Sequence, residues 1–214
     1  MKKRLIQYIR KIITLYFSLI QARALRTRIK NNAFIVNSVV KCTGKRNQLV
    51  VGPDSSLKNC SFIIMGDNNV ISIGSHCKFD NVEFWIEDNG NSILIGNNCT
   101  IESGSQMAAC EGTLISIGND CMFSHDVLIR TTDSHSIINQ RGERINSALD
   151  IVIGDHVWLG IRSLILKGSL ISQNVIVGAG SIVSSKIKNT PGDMLVGTPA
   201  KTVKQNINWI RARI

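Results

Sequence analysis

The sequence predicts an all-β solenoid, and two observations support this fold class. An apolar run that ends in glycine recurs with its glycine at positions 52, 74, 96 and 118, a constant spacing of 22 residues. The 214 residues include 32 Ile and 15 Val, which favour strands, and 17 Gly and 19 Asn, which suit tight turns. A fixed period of this length is typical of a fold in which each coil buries its face against its neighbours.

Each repeat alternates Ile or Val with another residue before the glycine, as in ISIGSHC, ILIGNNC and ISIGNDC. Two further runs of this kind end at Gly154 and Gly178. We expect the glycines to occupy turns with positive φ, and the β-branched residues to fill a flat interior. Cys77, Cys99 and Cys121 follow a repeat glycine by three residues, which predicts a ladder of small buried side chains.

The repeat is interrupted once. Gly118 and Gly154 are 36 residues apart, and the interval includes a polar stretch, residues 131–149, without the repeat pattern. We expect this stretch to form an excursion loop that leaves the solenoid wall. Long loops on a regular scaffold are common places for function.

The formal net charge of +10 comes from the first 46 residues, which contain 12 Lys or Arg and no acidic residue. Apolar residues between Ile6 and Ile20 recur every three or four positions, which predicts a basic amphipathic helix. Such a helix, within residues 1–30, either lies on an anionic membrane surface or caps the body and packs in an oligomer. We expect no nucleic-acid partner, because neither zinc-ligand spacing nor a stacking-aromatic motif accompanies the charge.

The predicted organisation has three segments: a basic helical head (1–46), a solenoid domain (47–187) and a C-terminal loop with a short helix (188–214). No apolar run reaches the roughly 20 residues that a membrane-spanning helix needs. The six cysteines contain no C-x-x-C pair, and no small-residue cleavage site follows the apolar run of the head. We therefore expect a cytoplasmic protein, located at the inner face of the membrane if the head binds lipid.

Two runs carry a family resemblance. The segment VWLGIRSLILKGSLISQNVIVGAGSIVSS, followed by GTPAK, resembles the coenzyme A-dependent sugar O-acetyltransferases. The run CMFSHDVLIRTTDSHSIINQRGERIN is similar to one in bacterial capsule acetyltransferases, including those that modify polysialic acid. The resemblance covers about residues 47–205 and is most specific over 118–204.

This resemblance, which does not cover the basic head, implies that the solenoid is a left-handed parallel β-helix. The predicted fold therefore has the basic helix before this β-helix and a short helix after it. It also implies acetyl-coenzyme A as co-substrate, and a homotrimer whose active sites form between adjacent β-helices. The expected reaction is acetyl transfer to a hydroxyl of a carbohydrate, a bacterial surface polysaccharide or its precursor.

Acetyl transfer to a hydroxyl needs a base, and a neutral imidazole, with its reference pKa of about 6.5, suits this task. By resemblance, His135 takes the hydroxyl proton while the oxygen attacks the thioester directly. Asp133 either orients the imidazole or caps the loop. His76 and His156 occupy turn positions after a repeat glycine, and His125 lies within the regular pattern. We interpret His76 and His156 as structural or surface residues, and His125 as a residue of the wall, with a role as base as its alternative.

The resemblance assigns further residues to the coenzyme. The stretch that includes Trp158, Gly160 and Ile161 lines the thioester channel in relatives, where a backbone N–H stabilises the oxyanion. For these three residues and for the five named next, the alternative role is packing, turn geometry or solvation. The remaining positions are Ala179 for the pantetheine arm, Ser184 and the nearby Lys186, and Lys201 and Lys204 for the phosphates. Relatives carry Thr-Lys where this chain has Ser184 and Ser185, a departure that places Lys186 one position beyond the expected lysine.

Acceptor binding is less defined. Gln106 aligns with a polar residue of the sugar site in relatives, and Trp158 borders the acceptor. Arg130 and Arg144 flank the excursion loop, where they either pair with an acidic sugar or pin the loop.

Two other functions remain open: an N-acetyltransferase acting on an amino-sugar nucleotide, and a non-catalytic β-helix scaffold. A metal site is not expected. The γ-type carbonic anhydrases of this fold need two histidines four residues apart, whereas His125 and His135 are ten apart.

Overall fold

A computed structural model describes residues 25–214, which form one parallel β-helix with three sheets along its sides. Each complete coil contributes one strand to each sheet, so that every third strand is hydrogen-bonded to the next in its sheet. Sheet 1 has the order β1-β4-β7-β10-β13-β16-β19, sheet 2 the order β2-β5-β8-β11-β14-β17-β20-β22-β23, and sheet 3 the order β3-β6-β9-β12-β15-β18-β21.

The strands are short, from two to five residues each. Their bounds are Leu25–Ile29 (β1), Phe34–Val36 (β2), Val39–Cys42 (β3), Asn47–Val51 (β4), Ser56–Lys58 (β5), Ser61–Ile64 (β6), Val70–Ile73 (β7), Lys78–Asp80 (β8), Glu83–Glu87 (β9), Ser92–Ile95 (β10), Thr100–Ile101 (β11), Gln106–Cys110 (β12), Leu114–Ile117 (β13), Met122–Phe123 (β14), Leu128–Arg130 (β15), Ile151–Ile153 (β16), Trp158–Leu159 (β17), Leu164–Leu166 (β18), Leu170–Ile171 (β19), Ile176–Val177 (β20), Ile182–Val183 (β21), Met194–Gly197 (β22) and Ala200–Lys204 (β23).

The number of residues per coil changes along the β-helix. Paired positions are 22 residues apart in the first coils, 36 apart across the excursion loop, and 18 apart in the last coils, where Val152 pairs with Leu170. Because the coils shorten, Gly178 stacks on Gly160 and is not the equivalent of Gly154. The expectation that Gly178 continues the series of Gly154 is therefore corrected.

Alternate residues of each strand point inward and fill the interior of the β-helix. The predicted ladder of buried cysteines is confirmed. Cys77, Cys99 and Cys121 are fully buried. Each Sγ contacts the carbonyl oxygen of a repeat glycine in the next coil at 3.2–3.3 Å. The thiols are free and behave as small apolar core groups.

The repeat glycines are required for a different reason from the one the sequence suggested. Positive φ falls two residues later, as at His76 (57°) and Asn98 (60°), and not on the glycines themselves. At Gly96 a Cβ would lie 2.7 Å from the backbone of Gly118 in the next coil. Glycine is therefore needed because successive coils approach each other closely. The turn positions of His76 and His156 are confirmed, since both have positive φ.

The predicted C-terminal helix is wrong, and the helical head does not extend over residues 25–46, because residues 25–214 contain no helix. Within the predicted head, residues 25–46 form the first coil, since charged and apolar residues alternate along β1 with the two-residue period of a strand. The C-terminal segment contains the antiparallel pair β22 and β23 and an irregular tail. The helical pattern of Ile6–Ile20 lies outside the described residues. None of the described chain forms a helix of the length and hydropathy needed to span a bilayer.

Candidate active site

The excursion loop is a hairpin that leaves the β-helix where sheet 3 turns towards sheet 1, an edge that we call corner 3/1. The Leu149 N–H donates to the Thr131 carbonyl at 3.0 Å and closes the base of the hairpin. The two arms pair where the Ile145 N–H donates to the Ile137 carbonyl at 2.9 Å. Residues 131–149 are therefore held together by backbone hydrogen bonds at the base of the hairpin and between its arms.

His135 lies on the first arm of this hairpin with its side chain exposed. Its N–H donates to the Asp133 carbonyl at 2.8 Å, and its own carbonyl accepts from Asn146 Nδ2 at 2.8 Å. Within residues 25–214 the imidazole has no hydrogen-bond partner. The ring is thus presented to solvent from a fixed backbone.

Asp133 is engaged with the loop and the wall. Its Oδ2 accepts from Lys167 Nζ at 2.5 Å and from Asn146 Nδ2 at 2.9 Å. The Lys167 ammonium, followed by the Asn146 amide, lowers the pKa of the Asp133 carboxyl. The recorded hydrogen bonds of this carboxylate favour the loop-capping role, and orientation of the imidazole by Asp133 stays a prediction.

The contact of Lys167 with Asp133 is one clamp on the hairpin, and the contact of Glu111 with Arg144 is a second clamp, which holds the second arm. Glu111, in the turn after β12, accepts from the two terminal nitrogens of Arg144 at 2.7 and 2.8 Å and from Thr132 Oγ1 at 2.7 Å. The Arg144 guanidinium, followed by the Thr132 hydroxyl, lowers the pKa of Glu111 to about 2. Of the two roles open for Arg144, this geometry favours pinning the loop.

Arg130 ends β15, just before the loop, and its Nη2 donates to Ser134 Oγ at 3.2 Å. Its Nε is buried without a hydrogen-bond partner in the described chain. Arg130 therefore supports the first arm of the hairpin.

Sequence reasoning missed three members of this network, namely Glu111, Asn146 and Lys167. Asn146 closes the run GERIN, which the resemblance had marked without assigning it a role. Glu111 and Arg144 are 33 residues apart, and Asp133 and Lys167 are 34 apart. Their pairing depends on how the hairpin folds back, which the spacing alone does not reveal.

The predicted thioester residues lie on the other edge of sheet 3, where sheet 2 turns into sheet 3, which we call corner 2/3. Residues 160–163 form a turn closed by the Ser163 N–H and the Gly160 carbonyl at 3.2 Å, with φ of 57° at Arg162. Positive φ at the third residue is typical of a type II turn. Ile161 is the second residue of this turn and is 41% exposed.

Most backbone amides of this stretch are already used. The Trp158 and Gly160 N–H groups donate to the next coil at 3.0 and 2.8 Å. The Ile161 N–H has no partner within residues 25–214. It is therefore available to a ligand at corner 2/3.

The next coil extends this surface. The Gly180 N–H donates to the Ile161 carbonyl at 2.8 Å, so the turn containing Ala179 stacks against the turn containing Ile161. At Gly160, a Cβ would lie 2.7 Å from the Ala179 nitrogen, so only glycine permits this close stacking. The exposed Ala179 leaves a flat strip along the corner.

The two predicted phosphate-binding lysines lie on the last strand, β23. Lys201 pairs with Val196, whose side chain covers Gly178, so the structure brings Lys201 towards corner 2/3. Lys204 pairs with Met194 farther along the same hairpin. Both lysine side chains are exposed.

Ser184 and Lys186 lie elsewhere. They follow β21 at corner 3/1, where the neighbouring Ser185 packs near Gly168 and the end of the excursion loop. On one chain they are therefore on the loop side of sheet 3, apart from Ile161 and Ala179.

Trp158 points outward from sheet 2 and is partly buried. Its Nε1 donates to Ser124 Oγ at 3.3 Å, and its ring lies 6.1 Å from that of Trp209 in the C-terminal tail. Trp209 stacks on His156 with ring centroids 4.1 Å apart. The His156 ring nitrogens contact Asp120 Oδ2 and the Trp209 carbonyl, which fits the structural role expected for His156.

Gln106 lies at corner 2/3, in earlier coils than Ile161. It lines a shallow cavity of about 240 Å³ together with amide, hydroxyl and carboxyl groups of three successive coils. Its Nε2 donates to a carboxyl oxygen of Glu83. This polar groove is suited to hydroxyl-rich ligands. His125 is exposed at the same corner.

On a single chain the two halves of the predicted site face different edges. His135 is anchored at corner 3/1 and Ile161 at corner 2/3, with the three-residue strand β18, about 10 Å long, between the two edges. One chain alone does not bring the imidazole to the unpartnered amide.

Comparisons with known proteins agree with this architecture. No family model matches the chain. It is 37% identical over 91 residues to a polysialic acid O-acetyltransferase of Neisseria meningitidis, and 34% identical over 91 residues to one of Escherichia coli O1:K1. These matches cover 42% of this chain, but only 42% and 29% of those two proteins.

A solved structure extends the similarity over nearly the whole chain. The crystal structure of the polysialic acid O-acetyltransferase OatWY superimposes with a TM-score of 0.84 at 30% identity, and the match covers 89% of each chain.

Proposed function

We propose, from the premise that this chain belongs to the left-handed β-helix O-acetyltransferases, that it transfers acetyl from acetyl-coenzyme A to a carbohydrate hydroxyl. The observation that carries this proposal is the exposed imidazole of His135, presented by a hairpin that is clamped on both arms. A group fixed in this way can act as a general base with little loss of conformational freedom.

Corner 2/3 has the properties that acetyl-coenzyme A requires. The flat strip around Ala179 leaves room for an extended pantetheine arm, and the Ile161 N–H is free to donate to the thioester oxygen. Lys201 and Lys204 add positive charge for the phosphates. Trp158 borders this surface, whereas Ser184 and Lys186 belong to it only if another chain brings them there.

In the proposed reaction His135 accepts the proton of the sugar hydroxyl as its oxygen forms a bond to the thioester carbon. The Ile161 N–H donates to the oxyanion that develops on the carbonyl oxygen. The carbon–sulfur bond then breaks, and the proton held by His135 passes to the leaving thiolate. No acyl group is transferred to the protein.

We propose that the site is completed between chains of a homotrimer, with the excursion loop of one copy meeting corner 2/3 of the next. The separation of His135 and Ile161 on one chain supports this arrangement. Mixed trimers of His135→Ala and Ile161→Pro chains should regain activity that neither variant has alone. Light scattering should give a trimer mass, and a monomer with full activity would contradict the arrangement.

The acceptor is proposed to be a bacterial surface polysaccharide or its precursor. The relatives that act on polysialic acid and the polar groove around Gln106 support a polyhydroxylated acceptor. With Arg144 neutralised by Glu111, Arg130 is the remaining arginine of the two for an acidic sugar. An amino-sugar nucleotide remains the alternative acceptor, in which a free amine is acetylated.

The test is thiol release from acetyl-coenzyme A with neutral oligosaccharides, acidic oligosaccharides and amino-sugar nucleotides. We expect release with a hydroxyl acceptor, and His135→Ala should lower the rate by roughly 10²–10⁴-fold with unchanged thermal unfolding. The Asn139→Ala variant, in the same hairpin, is the matched control.

A drop below tenfold in His135→Ala would remove His135 from the mechanism. Acetylation of an amine would favour the N-acetyltransferase. Absence of both transfer and coenzyme A binding would favour the scaffold, whereas binding without transfer would mean that the acceptor lies outside this panel.

We also propose that the chain works in the cytoplasm, at the inner face of the membrane, through its basic first segment. Because β1 begins at Leu25, the deletion that tests this removes residues 1–24 and keeps the first coil. The full chain should sediment with phosphatidylglycerol vesicles and the shortened chain should not, while both keep thiol release. Equal sedimentation of the two chains would contradict the membrane role.

A further inference from the structure

Most of the excursion loop is open to solvent, but Thr131 and Thr132 at its base and Asn146 on its second arm are buried. Asn146 is 8% exposed and is the buried carboxamide of the loop. The Asn146 side chain lies between the two arms of the hairpin. Buried amides are costly unless their hydrogen-bonding capacity is satisfied, so its partners define its role.

All four hydrogen-bonding positions of the Asn146 amide are filled. Its Nδ2 donates to the His135 carbonyl at 2.8 Å and to Asp133 Oδ2 at 2.9 Å. Its Oδ1 accepts from the Ile137 N–H at 2.7 Å and from Arg144 Nε at 3.2 Å. Two donors face two acceptors and two acceptor positions face two donors, which only a carboxamide can provide.

Two of these bonds flank Ser136, the residue that follows the proposed base. The His135 carbonyl and the Ile137 N–H are the two backbone groups that a neighbouring strand would bind in a sheet. The Asn146 carboxamide substitutes for that strand and fixes the peptide planes on both sides of Ser136. The peptide plane before His135 is held by the bond from the His135 N–H to the Asp133 carbonyl. With the plane between His135 and Ser136 fixed by Asn146, the direction in which the His135 side chain leaves the backbone is set.

The same residue ties the hairpin to the wall. The Asn146 carbonyl accepts from Lys167 Nζ at 2.9 Å, and Lys167 also binds Asp133. Arg144, which contacts Oδ1, is held by Glu111. Asn146 is therefore the point at which the two clamps of the loop meet.

We infer that Asn146 is the positioning residue for His135, setting the direction of the imidazole without contacting the substrate. This inference rests on the proposed function, in which His135 is the base. The carboxamide acts through backbone groups, so its contribution depends on the presence of the imidazole.

The test is a double-mutant cycle on thiol release by the full-length chain, at high enzyme concentration so that slow variants are measurable. Asn146→Ala should lower kcat about 10²-fold, the order expected for displacing a catalytic group by about 1 Å. The KM for acetyl-coenzyme A should stay unchanged, because the hydrogen bonds of Asn146 in the described chain involve none of the residues assigned to the coenzyme. In the His135→Ala background the same change should cost less than threefold.

Two further variants complete the design. Asn146→Asp keeps the size but puts an acceptor against the His135 carbonyl and Asp133, so its kcat should fall at least as far as that of Asn146→Ala. Asn139→Ala is the matched control, because Asn139 binds only groups at the hairpin tip, the N–H of Arg141 and both the N–H and carboxylate of Glu143. Its kcat should stay within threefold of wild type.

The outcomes separate the two proposals. An Asn146→Ala effect of equal size with and without His135 would overturn the positioning role, and so would a kcat within threefold of wild type. Wild-type activity in His135→Ala would overturn the choice of base, and the positioning role with it. Thermal unfolding of each variant identifies global destabilisation, and Asn146→Asp supplies the measurement if Asn146→Ala does not fold.

Discussion

The proposed oxyanion donor is a backbone amide that the stacking of coils leaves without a partner in the described chain. In a stack of parallel coils nearly every N–H is consumed by the next coil, as those of Trp158 and Gly160 are. The Ile161 N–H has no acceptor in the described chain because it belongs to the second residue of a type II turn at an exposed corner. The chemistry assigned to corner 2/3 therefore depends on one peptide group.

Replacing Ile161 with proline tests this directly. Proline lacks an N–H and is favoured at the second position of a type II turn, so the corner should keep its shape. We expect Ile161→Pro to lower kcat by roughly 10²–10³-fold, the cost of losing one oxyanion donor.

Ile161→Ala keeps the N–H and should stay within about threefold of wild-type kcat, since it removes only exposed apolar surface. Equal kcat values for the proline and alanine variants, measured with saturating acetyl-coenzyme A, would argue against an oxyanion role for this amide.

At the scale of elements, the excursion loop behaves as a clamped hairpin. Its position in the chain was predictable from the break in the 22-residue period, and the position of His135 on it from the motif. Its internal pairing was not predictable, because Glu111 and Arg144 are 33 residues apart and meet only after the hairpin folds back. Charged pairs of this separation leave no periodic signal in a sequence.

The contact between Glu111 and Arg144 should persist as the pH falls from 7 to 5. The pKa of Glu111 is about 2 in the folded chain, below its unfolded value. Its stabilising contribution is therefore complete above the unfolded value, near pH 4.5, and is lost as the pH falls through about 2. We expect hydrogen exchange of the hairpin amides, corrected for its intrinsic pH dependence, to stay unchanged between pH 7 and pH 5.

Neutralising the clamp at constant pH gives the complementary result. Glu111→Gln should speed tryptic cleavage at Arg141, in the exposed hairpin tip, on the order of threefold to tenfold, as expected for a partly exposed ion pair. Glu143→Gln, a carboxylate of the same hairpin outside the clamp, serves as control. Hairpin amides that open by pH 5 in the wild type would contradict the assignment.

The two ends of the described chain show where the sequence pattern predicted a helix and the structure has a strand or an irregular segment. Arg26 and Arg28 were grouped with the basic helical pattern because they continue its charge, yet their alternation with Leu25 and Ile29 has the period of a strand. In the C-terminal segment, Trp209 packs on His156, and Arg211 binds Asp120 at 3.1 Å, which fixes an irregular tail. Such long-range contacts override local helix propensity.

At the scale of the whole molecule, stability depends on how closely successive coils approach. The sequence predicted the stacking, but the need for glycine was assigned to backbone conformation instead of space. At Gly96 the next coil leaves no room for a Cβ. This distinction was not accessible without coordinates, because both explanations produce the same glycine period.

Gly96→Ala should therefore destabilise the β-helix by about 1–3 kcal/mol, the usual cost of overpacking. Denaturant unfolding measures this free energy. Ser116→Ala, a change of similar size on the outer face of sheet 1, should stay within about 0.5 kcal/mol. A Gly96→Ala chain as stable as wild type would show that neighbouring coils can separate to admit a methyl group.

The first coil ends the β-helix with an open strand. Among the described residues, β1 has a neighbour on one side only, β4. An unpaired edge is a template on which further strands can add, and coils that stack so regularly would extend into fibres. Arg26 and Arg28 on the outer face of β1, followed by Lys30, give this end positive charge. Two such ends repel each other, and this repulsion weakens as salt screens it. Positive charge on the first described coil thus disfavours contact between two such ends, least so at high salt.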